Sequence, residues 1–246
     1  MGIQKNTPSV VTDGLVYYLD AANRVSYAGS GTTWRDLNGG GINASLVNGP
    51  AYSANNGGYI SLDGTNDYIQ AASNCIPAFG SGSFTVEYWF RKTQTTDIGS
   101  YDNIWGVNQW DGRSAGINQW SLAIGRGDGA GGNEHRFAIE SGSTSYGTGY
   151  ASALTVNTWY QLVGQRDGTT FNLYRNTILV ATATPSGFTA NSIINNFNIP
   201  LRIGVSDSIS LFTASNNAIL RIYNKALSRS EIIQNYNIFK SRFGLT

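Results

Sequence analysis

Phe84-Thr-Val-Glu-Tyr-Trp-Phe90 places a bulky apolar side chain at every second position. Side chains on a strand point alternately to its two faces, so Phe84, Val86, Tyr88 and Phe90 share one face while Thr85, Glu87 and Trp89 share the other. Four bulky groups on one face need a second layer to cover them, and the stretch therefore reads as the inter-sheet core of a β-sandwich.

Outward from it, the same alternation, punctuated by Gly, Asn, Asp and Ser, recurs from Gly14 to Tyr223. It predicts strands over residues 15–19, 59–62, 84–91, 103–107, 120–124, 136–140, 159–165, 171–175, 178–182, 201–205 and 218–223. Asp167-Gly168 and Asn176-Thr177 separate three of these as consecutive hairpins. One helix is expected, over residues 228–240: Ser228-Arg-Ser-Glu231 is a capping box, and Ile232, Ile233, Tyr236 and Phe239 follow at helical spacing. Residues 1–12 read as an arm that adds nothing to the core, and residues 13–246 as a single domain.

The 246 residues are 41% hydrophobic and only 13% charged, enough apolar material for one sizeable core. The 30 glycines suit a fold with many tight turns. With 16 basic and 15 acidic residues and a net charge of +1, the chain has no basic footprint for nucleic acid or an anionic membrane. No run of about 18 apolar residues suggests a membrane span, and residues 1–12 hold no stretch of signal-peptide length. A single cysteine, Cys75, excludes an intrachain disulfide and reads as a small core residue.

Four segments in this order resemble the laminin-G-like, concanavalin A-like lectins, in a form found among structural proteins of tailed bacteriophages, including those of marine cyanobacteria. They are Asp13-Gly-Leu-Val-Tyr-Tyr-Leu-Asp-Ala-Ala-Asn23; Thr33-Trp-Arg-Asp-Leu-Asn-Gly-Gly-Gly41 with Leu62-Asp-Gly-Thr-Asn-Asp-Tyr68; Phe84 to Phe90; and Trp159 to Arg166 with the close from Ala218 to Asn237. The stretch from Leu220 to Asn237 is the most specific, being similar to the family's last strand and capped helix. The resemblance implies an all-β, two-sheet antiparallel jelly-roll sandwich with one short C-terminal helix. It also implies a virion structural protein, a capsid decoration, fibre or tail component, assembled in the host cytoplasm. Fold alone does not assign function, so each chemical constellation needs its own reading.

Glycoside hydrolysis requires two carboxylates flanking the scissile bond. The β-glucanases of the family the chain resembles carry theirs as Glu-x-Asp-x-x-Glu on one strand face. The glutamates here are Glu87, Glu134, Glu140 and Glu231, and none has an acidic residue two positions later. Glu87 reads as a hydrogen-bonded or surface carboxylate, and the only histidine, His135, as a solvated or turn-edge residue beside a glycine-rich loop. A catalytic histidine needs a nucleophile and an orienting group, for which no candidates stand out.

Calcium is the candidate cofactor, because hard cations are held by turn oxygens. The candidate ligands are Asp63 and Asp67 in Asp63-Gly-Thr-Asn-Asp67, joined by Asp20 and Asp36 if the fold brings them together. In the alternative reading both side chains bond local backbone amides.

Sugar stacking needs an exposed aromatic ring with polar groups nearby. Residues 101–120 hold Trp105, Asn108, Gln109, Trp110, Asp111, Arg113, Asn118, Gln119 and Trp120. Trp105 and Trp120 read as core or sheet-face residues and Trp110 as the exposed platform. The candidate ligand or partner contacts are Trp110, Asn108 and Arg113, with Arg126 and Asp128 from the glycine-rich run 125–132. The expectation is a protein without enzymatic activity that binds other virion proteins, cell-surface glycans or a further copy of itself.

Overall fold

The computed structural model describes residues 9–94, 106–109, 119–124, 134–141, 144–194, 199–206 and 209–246. In chain order the strands are β1 Leu15–Asp20, β2 Thr33–Trp34, β3 Ala44–Val47, β4 Ala51–Ser53, β5 Tyr59–Asp63, β6 Tyr68–Ala71, β7 Phe84–Lys92, β8 Val107–Gln109, β9 Gln119–Ile124, β10 His135–Ser141, β11 Thr144–Gly147, β12 Trp159–Asp167, β13 Thr170–Arg175, β14 Ile178–Ala183, β15 Leu201–Ile203 and β16 Ala214–Tyr223. The helix α1 covers Arg229–Phe239. Two antiparallel sheets result. The first runs β14-β13-β12-β7-β16-β5-β4 with β1 also on β16, and the second runs β11-β10-β9-β8-β15-β6-β3-β2.

The alternation in β7 does what it predicts. Phe84, Val86, Tyr88 and Phe90 are buried between the sheets together with Trp120, Leu122, Phe137 and Ile139 of the second. Phe84 stacks on Phe79 at 4.1 Å and meets the Phe137 ring at 5.7 Å. The sheets approach so closely at Gly164 that a Cβ there would stand 2.4 Å from the Phe137 ring. Burial raises the Cys75 thiol to about 12, in keeping with a core residue.

The expected meander is present, with Asp167 opposite Thr170 and Arg175 opposite Ile178. Asn176 and Thr177 both take positive φ, 47° and 70°, the twist a two-residue hairpin turn requires. α1 begins at the expected capping box: Ser228 Oγ accepts from Glu231 N at 3.3 Å while Glu231 Oε2 accepts from Ser228 N at 2.8 Å. Its apolar stripe lies on the outer face of the first sheet, where Trp89 meets Tyr236 at 5.7 Å and Phe243 at 4.9 Å.

Two expectations need correction. The segment before residue 13 does contribute to packing, since Val11 is buried beside Val163, Leu227 and Ile232. Its backbone amide donates to Asn235 Oδ1 at 2.9 Å, tying residues 9–12 to α1. The strand expected to reach residue 205 ends at Ile203, because Gly204 turns to φ 78° and lets Leu62 occupy the space of a side chain.

Candidate functional site

Each sheet has an outer face, and the two differ in what covers them. On the first, Glu87 is buried under α1 with its carboxylate fully engaged. Oε1 accepts from Trp89 Nε1, Gln161 Nε2 and Arg221 Nη1 at 2.9, 2.9 and 3.0 Å; Oε2 accepts from Arg221 Nη1 and Asn235 Nδ2 at 3.0 and 2.7 Å. The Arg221 guanidinium is sandwiched by the rings of Tyr18 and Phe239, at 4.8 and 4.5 Å. Burial is the largest single influence and opposes its charge, but the Glu87 carboxylate together with Tyr18 and Tyr223 outweighs it and holds the arginine pKa above its usual value. Glu87 is thus the hydrogen-bonded carboxylate of the sequence reading, and its place beneath a helix keeps it from a substrate.

The outer face of the second sheet is built differently. Ala44, Leu46, Ile69, Ala71, Leu201, Ile203, Val107, Trp120 and Leu122 point into the core, so the residues between them point out. The register aligns Ser45 with Gln70, Gln70 with Arg202, Arg202 with Asn108, and Asn108 with Ser121. Five polar side chains from five strands therefore form one row across the sheet, each pair of neighbours about 5 Å apart. Arg202 Nε donates to Gln70 Oε1 at 3.3 Å, and one row over Gln119 Nε2 donates to Glu140 Oε2 at 2.6 Å. Arg202, Asn108 and Ser121 are buried at its centre; Gln70 is half-buried and Ser45 exposed at one end. At the other end of this face stand half-buried Arg136 and exposed Ser145 and Tyr150. The row holds amide, guanidinium and hydroxyl groups at strand spacing, of which Gln70 and Ser45 reach solvent and the other three are buried.

Of the expected contacts, Asn108 belongs to this row but not as an exposed group: it is buried, and its Nδ2 donates to Val205 O at 3.1 Å. Its place on an inner strand of the sheet, beside β15, explains the difference. Trp110, Arg113, Arg126 and Asp128, and also Trp105, lie outside the described residues. The strand ends that the two connections join are at opposite ends of the sheet, Gln109 and Gln119 at one and Ile124 and His135 at the other. Trp120 is buried in the core, as expected, and its Nε1 donates to Gln109 Oε1 at 3.0 Å.

His135 requires correction. It is fully buried, facing inward with Phe137 and Ile139, and neither ring nitrogen has a hydrogen-bond partner among the described residues. Burial, assisted by the Arg175 charge, lowers its pKa to about 4.

In the Asp63 turn the Asp63 side chain bonds local backbone amides. Asp63 Oδ1 accepts from Thr65 N at 2.7 Å and Asn66 N at 3.3 Å, and the bond from Thr65 foremost holds its carboxyl below the usual range. Asp67 is raised, chiefly by burial and then by the Asp63 charge. Asp20 and Asp36 do not join them: Asp20 pairs with Arg242 at 2.8 Å, and Asp36 caps Tyr18 N and Asn38 N at 2.9 and 3.0 Å. Among the described residues no three His, Cys, Asp or Glu side chains are grouped to hold a metal, and no helix is long and apolar enough to cross a membrane.

Gln70, Arg202, Ser121, Arg136 and Tyr150 were not anticipated. Their signal is a polar residue between two core-facing ones, as in Leu201-Arg-Ile203 and Ile69-Gln-Ala71, but the row exists only once strand order and register are known.

Two stacked jelly-roll sheets, one backed by a helix and the other carrying an outward polar row, define a lectin-like binding module. The chain belongs to the concanavalin A-like lectin/glucanases superfamily, whose family model matches residues 63–233. No curated protein matches it in sequence. Among solved structures it is similar to the binding domain of Paraclostridial Mosquitocidal Protein 1, at 18% identity and TM-score 0.69, over 94% of this chain and 55% of that one. It is also similar to domain 4 of AbnA, an extracellular arabinanase of Geobacillus stearothermophilus in complex with arabinotriose, at 18% identity and TM-score 0.63, over 90% and 98%. A third is the binding domain of Botulinum Neurotoxin DC in complex with SialylT, at 11% identity and TM-score 0.61, over 92% and 52%. The chain thus spans about half of the two toxin chains, and at these identities the likeness is one of fold.

Proposed function

We propose that this chain is a glycan-binding module without catalytic activity, and that it binds on the outer face of the second sheet. The observation that carries the reading is the polar row Ser45–Gln70–Arg202–Asn108–Ser121, on the outer face opposite the one that α1 covers, which reaches the surface at Gln70 and Ser45. Support comes from the neighbours whose names include an oligosaccharide or sialyl ligand, and from the absence of Glu-x-Asp-x-x-Glu together with the engagement of Glu87 under α1. Trp110 and Arg113, between β8 and β9, and Arg126 and Asp128, between β9 and β10, are the contacts we propose from the two ends of the same sheet. Probing an array of immobilised neutral and acidic glycans with the intact chain tests the reading; capture of a defined glycan set is expected, and a blank array overturns it.

The setting we propose is a bacteriophage particle, where the module would present this face to a host glycan or a neighbouring virion protein. The support is the resemblance of the four sequence segments. Mass spectrometry of purified particles is expected to find the chain, in hundreds of copies for a capsid decoration and a few for a tail or fibre; its absence from particles would end this part of the proposal.

A further inference from the structure

Several arginines of the described chain are bound to carboxylate or carbonyl oxygens. Arg221 is bound to Glu87, Arg242 to Asp20, and Arg166 to the carbonyls of Gly168, Gly80 and Ala190. Arg136 is not. It stands on β10, on the outer face of the second sheet, one strand from the free edge formed by β11. Its guanidinium carbon sits 5.3 Å from the centroid of the Tyr150 ring, a cation–π contact that fixes the plane of the group. Its polar contacts are long and neutral: Nη1 donates to Tyr150 OH at 3.4 Å and Nη2 to Ser145 Oγ at 3.5 Å. Such distances lie at the outer limit for a hydrogen bond and leave most of the donor strength unspent. Nε is buried without a partner, and no ion pair of the described residues includes this side chain.

The sheet makes room for the group. A Cβ on Gly147 would stand 2.5 Å from Phe137 O and 3.1 Å from Arg136 Nη2, so the close approach of β10 requires glycine there and the guanidinium passes beside it. Glu140, on the same face, accepts from Gln119 Nε2 at 2.6 Å. Tyr150 and Ser145 are exposed, so the position is open to solvent.

We propose that Arg136, seated on Tyr150 and flanked by Ser145, binds the carboxylate of an acidic sugar, and that the ligand class of this face is carboxylate-bearing glycans. The inference rests on the glycan-binding reading and narrows it. A planar guanidinium matches a carboxylate with two parallel charge-assisted bonds, stronger than the two long hydroxyl contacts it makes now. The Tyr150 and Ser145 hydroxyls, freed from accepting, can turn to donate to the carboxylate or to a ring hydroxyl. A lysine would supply the charge without the fork.

The test is an NMR titration of the intact chain with glucuronate, glucose and acetate, repeated on Arg136→Gln and Arg136→Lys. The wild type is expected to bind glucuronate at least tenfold more tightly than either glucose or acetate, with shifts at the Ser145 and Tyr150 amides. Arg136→Gln is expected to lose that preference at an unchanged melting temperature, and Arg136→Lys to retain only part of it. Glucuronate binding no tighter than glucose or acetate, or a preference that survives in Arg136→Gln, overturns the inference. Neutral glycans captured on the array without a uronate preference leave the glycan reading standing and remove this one; an array blank for both removes the reading on which it rests.

Discussion

His135 shows how a single side chain can be misread from its neighbours. Glu134, Arg136 and the glycines before them suggest solvent, yet residues 135, 137 and 139 share one strand face, and that face is the core. Parity along β10 was the better guide than local polarity. The consequence is a pH dependence of stability. In the unfolded chain the imidazole titrates near 6.5, whereas in the folded protein burial lowers it to about 4. Between these values the unfolded state binds the proton and the folded state does not, so stability falls as pH drops through this window. One such group accounts for about 2 kcal/mol between pH 7 and pH 5 and about 3 kcal/mol by pH 4. Urea unfolding at several pH values should show this loss in the wild type and a flatter profile in His135→Leu. Equal slopes in the two proteins would mean that His135 does not stay neutral in the fold.

Among the elements, β7 and α1 were legible because each carries a complete local pattern: four alternating bulky residues in one, a capping box with an apolar stripe in the other. Strands β2, β3, β4, β6 and β11 were not anticipated. They are two to four residues long, and their residues alternate too briefly to be told from the turns around them. Glu87 was legible as a hydrogen-bonded carboxylate but not as the centre of the contact between β7, β16 and α1, because Arg221 and Asn235 are far away in sequence. Breaking a buried pair leaves an uncompensated charge, so Glu87→Leu alone should cost about 3–5 kcal/mol. The double variant Glu87→Leu/Arg221→Met, which removes both charges, should cost clearly less than that. Denaturant titration of both proteins checks the order. A double variant as unstable as the sum of the two single ones would show that the pair is held by geometry that apolar side chains cannot replace.

At the scale of the whole molecule, the sandwich was legible from periodicity, turn residues and family resemblance together, whereas the cross-strand polar row was not. Sequence reasoning looked for the site in loops, where Trp110 and Arg126 stand out as residue types. The cross-strand row is assembled from residues as distant as Ser45 and Arg202, so its signal is strand register, which no local spacing encodes. Each sheet has one face in the shared core and α1 takes the outer face of the first; the outer face of the second, which reaches solvent at Ser45 and Gln70, is the one we propose for recognition. The two outer faces can be compared directly on the glycan array. Gln70→Ala alters the row at its half-buried end, and Gln234→Ala alters an exposed residue of α1 on the opposite side of the sandwich. Loss of the hydrogen bonds of one amide corresponds to about a five- to tenfold drop in affinity. The account predicts that drop for Gln70→Ala and wild-type binding for Gln234→Ala, with both proteins folded; weakened binding by Gln234→Ala alone would place the ligand on the helix-covered face and contradict it.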